Sequence, residues 1–118
     1  MQHIVTDLVE TLNARAVLLV AKDGMIVACE VREGLDPHRV GALCAALVAE
    51  VTTALAGQGL EGFRQLEVAA ERGKLIVVEA ASTWLIVLVG ARLEIGPESI
   101  ELRSAAQRVV KESNLTSA

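Results

Sequence analysis

Hydrophobic positions along this chain repeat with two different periods, and each change of period marks an element. Near the start, Ile4, Val5, Leu8, Val9 and Leu12 recur at three- and four-residue spacing, which predicts a short amphipathic helix ended by Asn13. Residues 15–21 (RAVLLVA) and 25–31 (MIVACEV) are apolar runs of strand length, separated by Lys22-Asp23-Gly24. An Asp-Gly pair between two such runs predicts a hairpin with a type I′ turn, because both residues tolerate positive φ. Residues 32–35 are a polar connection, and 36–59 then return to helical spacing over a far longer stretch. Past the turn marked by Gly59 and Gly62 the period falls to two. Arg64, Leu66, Val68 and Ala70 share one face of a strand over 63–71, and Gln65, Glu67, Ala69 and Glu71 the other, as in a half-buried strand at a sheet edge. Arg72-Gly73 turns into a strand over 74–80 (KLIVVEA), and Ser82-Thr83 into one over 84–90 (WLIVLVG). The unbroken apolar run of the last suits burial on both faces, near the sheet centre. Gly96-Pro97-Glu98 opens a final helix whose buried stripe is Leu102, Ala105, Ala106, Val109 and Val110, and residues 113–118 are expected to fray.

The long helix over 36–59 is the informative element. Asp36 is placed to cap it, Pro37 suits its first position and glycines end it. Val40, Leu43, Cys44, Leu47, Val48, Val51 and Leu55 form one apolar stripe, read as the core face. The opposite face carries Ala42, Ala45, Ala46, Ala49, Thr52, Thr53 and Ala56, where a solvated helix would carry lysine and glutamate. After the cap the only full charges on the helix body are Arg39 and Glu50, toward one flank. A helix that is apolar or small all round is usually covered all round. The expectation is that one face packs on the chain's own sheet and the other on a second protein, with Arg39 and Glu50 as rim charges that set its register.

Composition narrows the function classes. With 118 residues the chain is one domain, its core within 4–110, and its hydrophobic content of 53% leaves material for an extra buried surface. The net charge of −4, scattered Lys and Arg and near-absence of aromatics argue against a nucleic-acid partner. The longest strongly apolar run, 84–91, is too short to span a bilayer, and the start lacks the basic-then-apolar pattern of a secretory signal. The expectation is a cytoplasmic protein with no membrane partner. Cys29 and Cys44 fall in predicted core elements and read as reduced small hydrophobes; Cys44, on the core stripe, is expected to be inert, while Cys29 stands on a strand where it can face either way.

Candidate chemistry is sparse. No GxxxxGK[ST] or strand-to-helix GxGxxG is present, so the chain is not expected to bind a nucleotide. His3 and His38 have no ligand partner at metal-site spacing, and Ser82, Ser99 and Ser104 lack a nucleophile-elbow context. Glu67, Glu71 and Glu79 lie on neighbouring strands, either as a cluster or as a solvated edge. Catalytic residues, metal and cofactor are therefore expected to be none.

The element order α-β-β-α-β-β-β-α fits an α+β sandwich: a five-stranded antiparallel sheet with helices on both faces. This order, the Ala21-Lys22-Asp23-Gly24 hairpin after an ALLV-like strand, the small-residue helix behind its Asp-Pro cap and the WLIVLVG strand resemble the Roadblock/dynein-light-chain domain family, in particular its MglB-like prokaryotic members. The resemblance covers most of the chain. It implies a Roadblock (profilin-like) sandwich that pairs long helix to long helix and third strand to third strand. It also implies a non-enzymatic, homodimeric regulator or adaptor of a Ras-like small GTPase. The interface expected on this chain comprises Arg39, Ala42, Ala45, Ala46, Ala49, Glu50 and Thr53 on helix 36–59, with Leu66 and Val68 on strand 63–71. The alternatives are a small-ligand sensor, for which few polar residues stand at core positions, and a scaffold or motor light chain on the same fold.

Overall fold

A computed structural model of the chain describes residues 1–32, 34–93, 95–96 and 99–117. Its elements are α1 (Gln2–Leu12), β1 (Ala16–Ala21), β2 (Ile26–Val31), α2 (Pro37–Ala56), β3 (Gln65–Ala70), β4 (Gly73–Ala80), β5 (Thr83–Gly90) and α3 (Ile100–Ser117). The five strands form one sheet in the order β2-β1-β5-β4-β3, antiparallel at every pairing. The alternating strand β3 is at an edge and the all-apolar strand β5 is central, as their patterns predict.

Strand alternation divides the core into two layers. Val17, Leu19, Ile76, Leu85 and Val87 point to one face and pack with Ile4, Val5, Leu8 and Val9 of α1 and with Leu102, Ala105 and Val109 of α3. Leu18, Val20, Val77, Trp84 and Ile86 point to the other face, where α2 supplies Cys44 and Val48. Two helices therefore cover one face, and a single helix covers the other.

The junctions correct several local expectations. The first hairpin is closed by Gly24 N–H donating to the Ala21 carbonyl (2.8 Å), while the Asp23 carboxylate accepts from Met25 N–H (3.0 Å). Only Gly24 has positive φ there (97°), so the turn is not type I′. The register slips between Leu19 and Val20, and this bulge absorbs the extra residue. The last hairpin turns at Ala81-Ser82, with Ala81 left-handed (φ 57°), and Thr83 is already buried in β5, its hydroxyl donating to the Ala80 carbonyl (2.6 Å). Gly73 begins β4 and is not itself a turn residue. The expected helix opening at Pro97-Glu98 lies outside the described residues; α3 begins at Ile100, with the Ser99 hydroxyl accepting from Leu102 N–H (3.2 Å). Val110, assigned to the α3 stripe, is exposed, and α3 runs to Ser117 through the stretch expected to fray. Asn13 ends α1 in the left-handed conformation, as expected.

Candidate functional site

The site is built around α2. Asp36 caps the helix, its carboxylate accepting from the backbone N–H of His38 (3.0 Å) and Arg39 (3.4 Å), and Pro37 occupies the first turn without wasting a donor. The far end closes through Leu60 N–H on the Leu55 carbonyl (2.8 Å), with Gly59 at φ 76°. Between these ends lie twenty residues of which only Gly41, Cys44 and Val48 are buried. By length and composition α2 is apolar enough to cross a membrane, which a search for uninterrupted apolar runs passes over. Here it is docked on a sheet by one narrow seam.

That seam differs from the stripe expected. Leu43, assigned to the core face, is 61% exposed, and Val40, Leu47, Val51 and Leu55 are only half-buried. The helix instead meets the sheet at Gly41, where a β-carbon would stand 3.3 Å from Ile26 Cγ1. Sequence reading missed Gly41 because a glycine inside a helix contributes nothing to an apolar pattern; its signal was its poor fit to a helix interior. Burial raises the Cys44 thiol above its ordinary pKa of 9.0. A buried thiol of that kind is inert packing.

The residues expected at an interface divide into three groups. Ala45, Ala49 and Thr53, with Val48 and Thr52, form one wall of an open groove of about 440 Å³. Its other wall comprises Lys22, Gly62, Phe63, Glu79 and Trp84. Arg39, Ala42, Ala46 and Glu50 are exposed on α2 and do not line this groove. Leu66 and Val68 project from β3 on the same side of the sheet as α2: Leu66 packs into the α2-side core, and Val68, 42% exposed, lines a smaller trough of about 180 Å³ with Leu35, Leu75 and Leu88. Small and apolar surface thus runs from the exposed flank of α2 to the edge strand. Neither Arg39 nor Glu50 has an ion-pair partner among the described residues.

The groove also holds a contact the sequence did not foretell. The only Phe and the only Trp of the chain meet there, ring centroids 5.3 Å apart and planes at 43°. Lys22 Nζ lies 4.8 Å from the Trp84 ring centroid and pairs with the Glu79 carboxylate, which faces Trp84 across β4 and β5. This assembly ties the first turn to the centre of the sheet and stiffens the groove wall. Glu79 is committed to Lys22, and Glu67 pairs with Lys74 at 2.9 Å on the opposite sheet face, so the three strand glutamates do not form a cluster. His38 is exposed in the first turn of α2, and His3 Nε2 lies 3.5 Å from Glu112.

Comparison with known proteins gives a consistent result. The Roadblock/LC7 domain matches residues 2–89. An uncharacterized protein of Methanocaldococcus jannaschii, MJ0714, is 27% identical over 107 residues, covering 91% of each chain. The fold is similar to that of Myxococcus xanthus MglB, with a TM-score of 0.87 at 20% identity over 96% of this chain and 94% of that one. It is also similar to Acanthamoeba castellanii profilin II, with a TM-score of 0.59 at 20% identity over 96% and 98% of the two chains. The sandwich is thus profilin-like, as expected.

Proposed function

The chain belongs to the Roadblock/LC7 family, and from that premise we propose that it is a non-enzymatic, homodimeric regulator or adaptor of a Ras-like small GTPase in the cytoplasm. The observation that carries this reading is the state of α2: twenty residues, three of them buried, and alanine and threonine where a free surface would carry charge. Exposed apolar surface of this extent marks an interaction site. Two copies pair through the small flank of α2 and the free edge of β3, which places Leu66 and Val68 beside the partner helix. The paired helices then present one continuous surface to the GTPase. Docking there acts by favouring one arrangement of the GTPase switch loops over another, and no side chain of this chain performs chemistry.

The test has two arms. Sedimentation at micromolar concentration measures self-association: a dimer supports the reading, and a monomer overturns the paired surface. A pull-down on the immobilised protein, run with GDP and with a non-hydrolysable GTP analogue, measures the partner. Retention of a small GTPase in one nucleotide state supports regulation and gives its direction. Retention of none in either state overturns the GTPase assignment.

A further inference from the structure

The two edges of the sheet are finished differently. The phase of hydrogen bonding along β2 follows from Arg32 N–H donating to the Arg15 carbonyl (2.9 Å) and from the pairing of Leu18 with Cys29. In that phase Cys29 and Val31 turn their backbone N–H and C=O away from β1, toward the open side. At Cys29 both groups are occupied. The Gln2 side-chain amide donates to the Cys29 carbonyl (2.8 Å), and its oxygen accepts from Cys29 N–H (3.4 Å). The carboxamide thus makes the two bonds that the N–H and C=O of one residue of an added antiparallel strand would make. Thr6, one turn along α1, accepts from the same Gln2 nitrogen (3.3 Å) and donates to Glu30 (3.1 Å), which holds the carboxamide against the strand.

The β3 edge has no such cover. Glu79 N–H donates to the Arg64 carbonyl (2.8 Å), so Gln65, Glu67 and Ala69 turn their backbone groups outward. Among the described residues no side chain bonds to them.

We propose that Gln2 is a plug that blocks the β2 edge at Cys29 against strand addition by a second copy of this chain, leaving β3 as the edge with no such block among the described residues. The occupant it excludes is the same edge of another copy. Antiparallel pairing about a two-fold axis satisfies the outward groups of both copies at once, and an edge with a free central residue is a template for such pairing. The inference rests on the proposed pairing through β3 for its consequence. A chain that pairs through both edges grows into an open ribbon, whereas a chain with one edge plugged stops at two copies.

The test is Gln2→Ala in the full chain, followed by sedimentation across a concentration series together with hydrogen exchange at the Cys29 amide. The wild type keeps one size across the series, with the Cys29 amide protected. The variant is expected to lose that protection at low concentration and regain it at high concentration, as its mass rises by about twofold or more over the wild type. A variant that loses Cys29 protection yet keeps the wild-type size throughout overturns the proposal, as does one that keeps both. Gln2→Glu, which cannot donate to the Cys29 carbonyl and sets like charges face to face, is expected to expose Cys29 without growth. If pairing through β3 is itself absent, the wild type sediments as a monomer and Gln2→Ala as a dimer, so the two proposals fail separately.

Discussion

Gly41 of α2 lies directly on Ile26 of β2: a β-carbon at position 41 would stand 3.3 Å from Ile26 Cγ1 and 3.4 Å from its Cδ1. The missing side chain sets the height of the helix above the sheet, and therefore the depth of the groove between α2 and Trp84. Gly41→Val has no room for its branched methyls. It is expected to destabilise the fold by about 1–3 kcal/mol, as overpacking does. Ile26→Ala in the same chain should recover part of that loss, because the two sites share one gap. Urea unfolding of the two single variants and the double variant measures the coupling, and purely additive losses would show that the contact does not set the helix position.

Much of this architecture was legible in the chain. The change from a three-to-four spacing to a two-residue spacing separates helices from strands, and the all-apolar run of β5 against the alternation of β3 gave centre and edge. The Asp36-Pro37 cap was legible because its bonds are local. What failed depended on tertiary geometry. A helix that is apolar all round has no pattern to say which side meets the sheet, so the spacing points Leu43 inward, where it is exposed, and gives no sign of the contact at Gly41. The small-residue flank was readable because alanine is conspicuous where charge is expected, while its opposite wall was not. Lys22, Phe63, Glu79 and Trp84 come from four separate segments and meet only once the strands take their register.

Ala81 holds a left-handed conformation at the β4–β5 turn, φ 57°. Such a conformation costs an alanine on the order of 1 kcal/mol that a glycine does not incur. Glycine also loses more entropy on folding, so the net gain for Ala81→Gly is modest, a few tenths to about 1 kcal/mol. A rise in the thermal midpoint is expected, with no change in assembly. A fall would mean that the turn is not under strain.

Burial raises the Cys44 thiol above its ordinary value of 9.0. The folded state therefore holds this proton more tightly than the unfolded state. Its contribution is fully present below the unfolded thiol pKa and is lost as pH rises through that value toward the higher folded one. Wild type should lose stability faster than Cys44→Ala between neutral pH and the alkaline side of 9.0. Urea midpoints of both proteins across that range check the sign. Parallel slopes would show that Cys44 does not titrate differently in the two states.

Ala49 and Ala45 both line the groove, but they are not equivalent sites for a probe of assembly. Ala45 is half-buried, and its Cβ lies 3.7 Å from where a β-carbon on Gly24 would stand, so a glutamate there also presses on the first hairpin. Ala49 is exposed in the isolated chain. Ala49→Glu should leave the fold intact and weaken pairing by about 3–5 kcal/mol, the cost of an unpaired charge in a dry interface. Sedimentation should then give a monomer whose circular dichroism matches the wild type. A fully dimeric Ala49→Glu would move the interface off this flank.

Arg39 and Glu50 are eleven residues apart on α2, about 16 Å along the axis and only about 20° apart around it. They therefore lie on one line, of opposite sign, with Leu43 and Ala46 between them. Two copies of such a line are complementary only when antiparallel, since each Arg39 then meets the partner copy's glutamate and each Glu50 its arginine. A parallel arrangement sets like charges together. Exposed pairs of this kind contribute about 0.2–1 kcal/mol each. Arg39→Glu alone turns two attractions into two repulsions and should weaken the dimer by about 1–2 kcal/mol, roughly 5- to 30-fold in Kd. Arg39→Glu with Glu50→Arg restores both attractions in the reverse sense, so the doubly exchanged chain should pair about as tightly as the wild type. The losses should shrink as ionic strength rises. Dissociation constants for the three chains at low and high salt decide the matter: recovery in the double exchange fixes an antiparallel register centred between Cys44 and Ala45, and its absence removes these two charges from the interface.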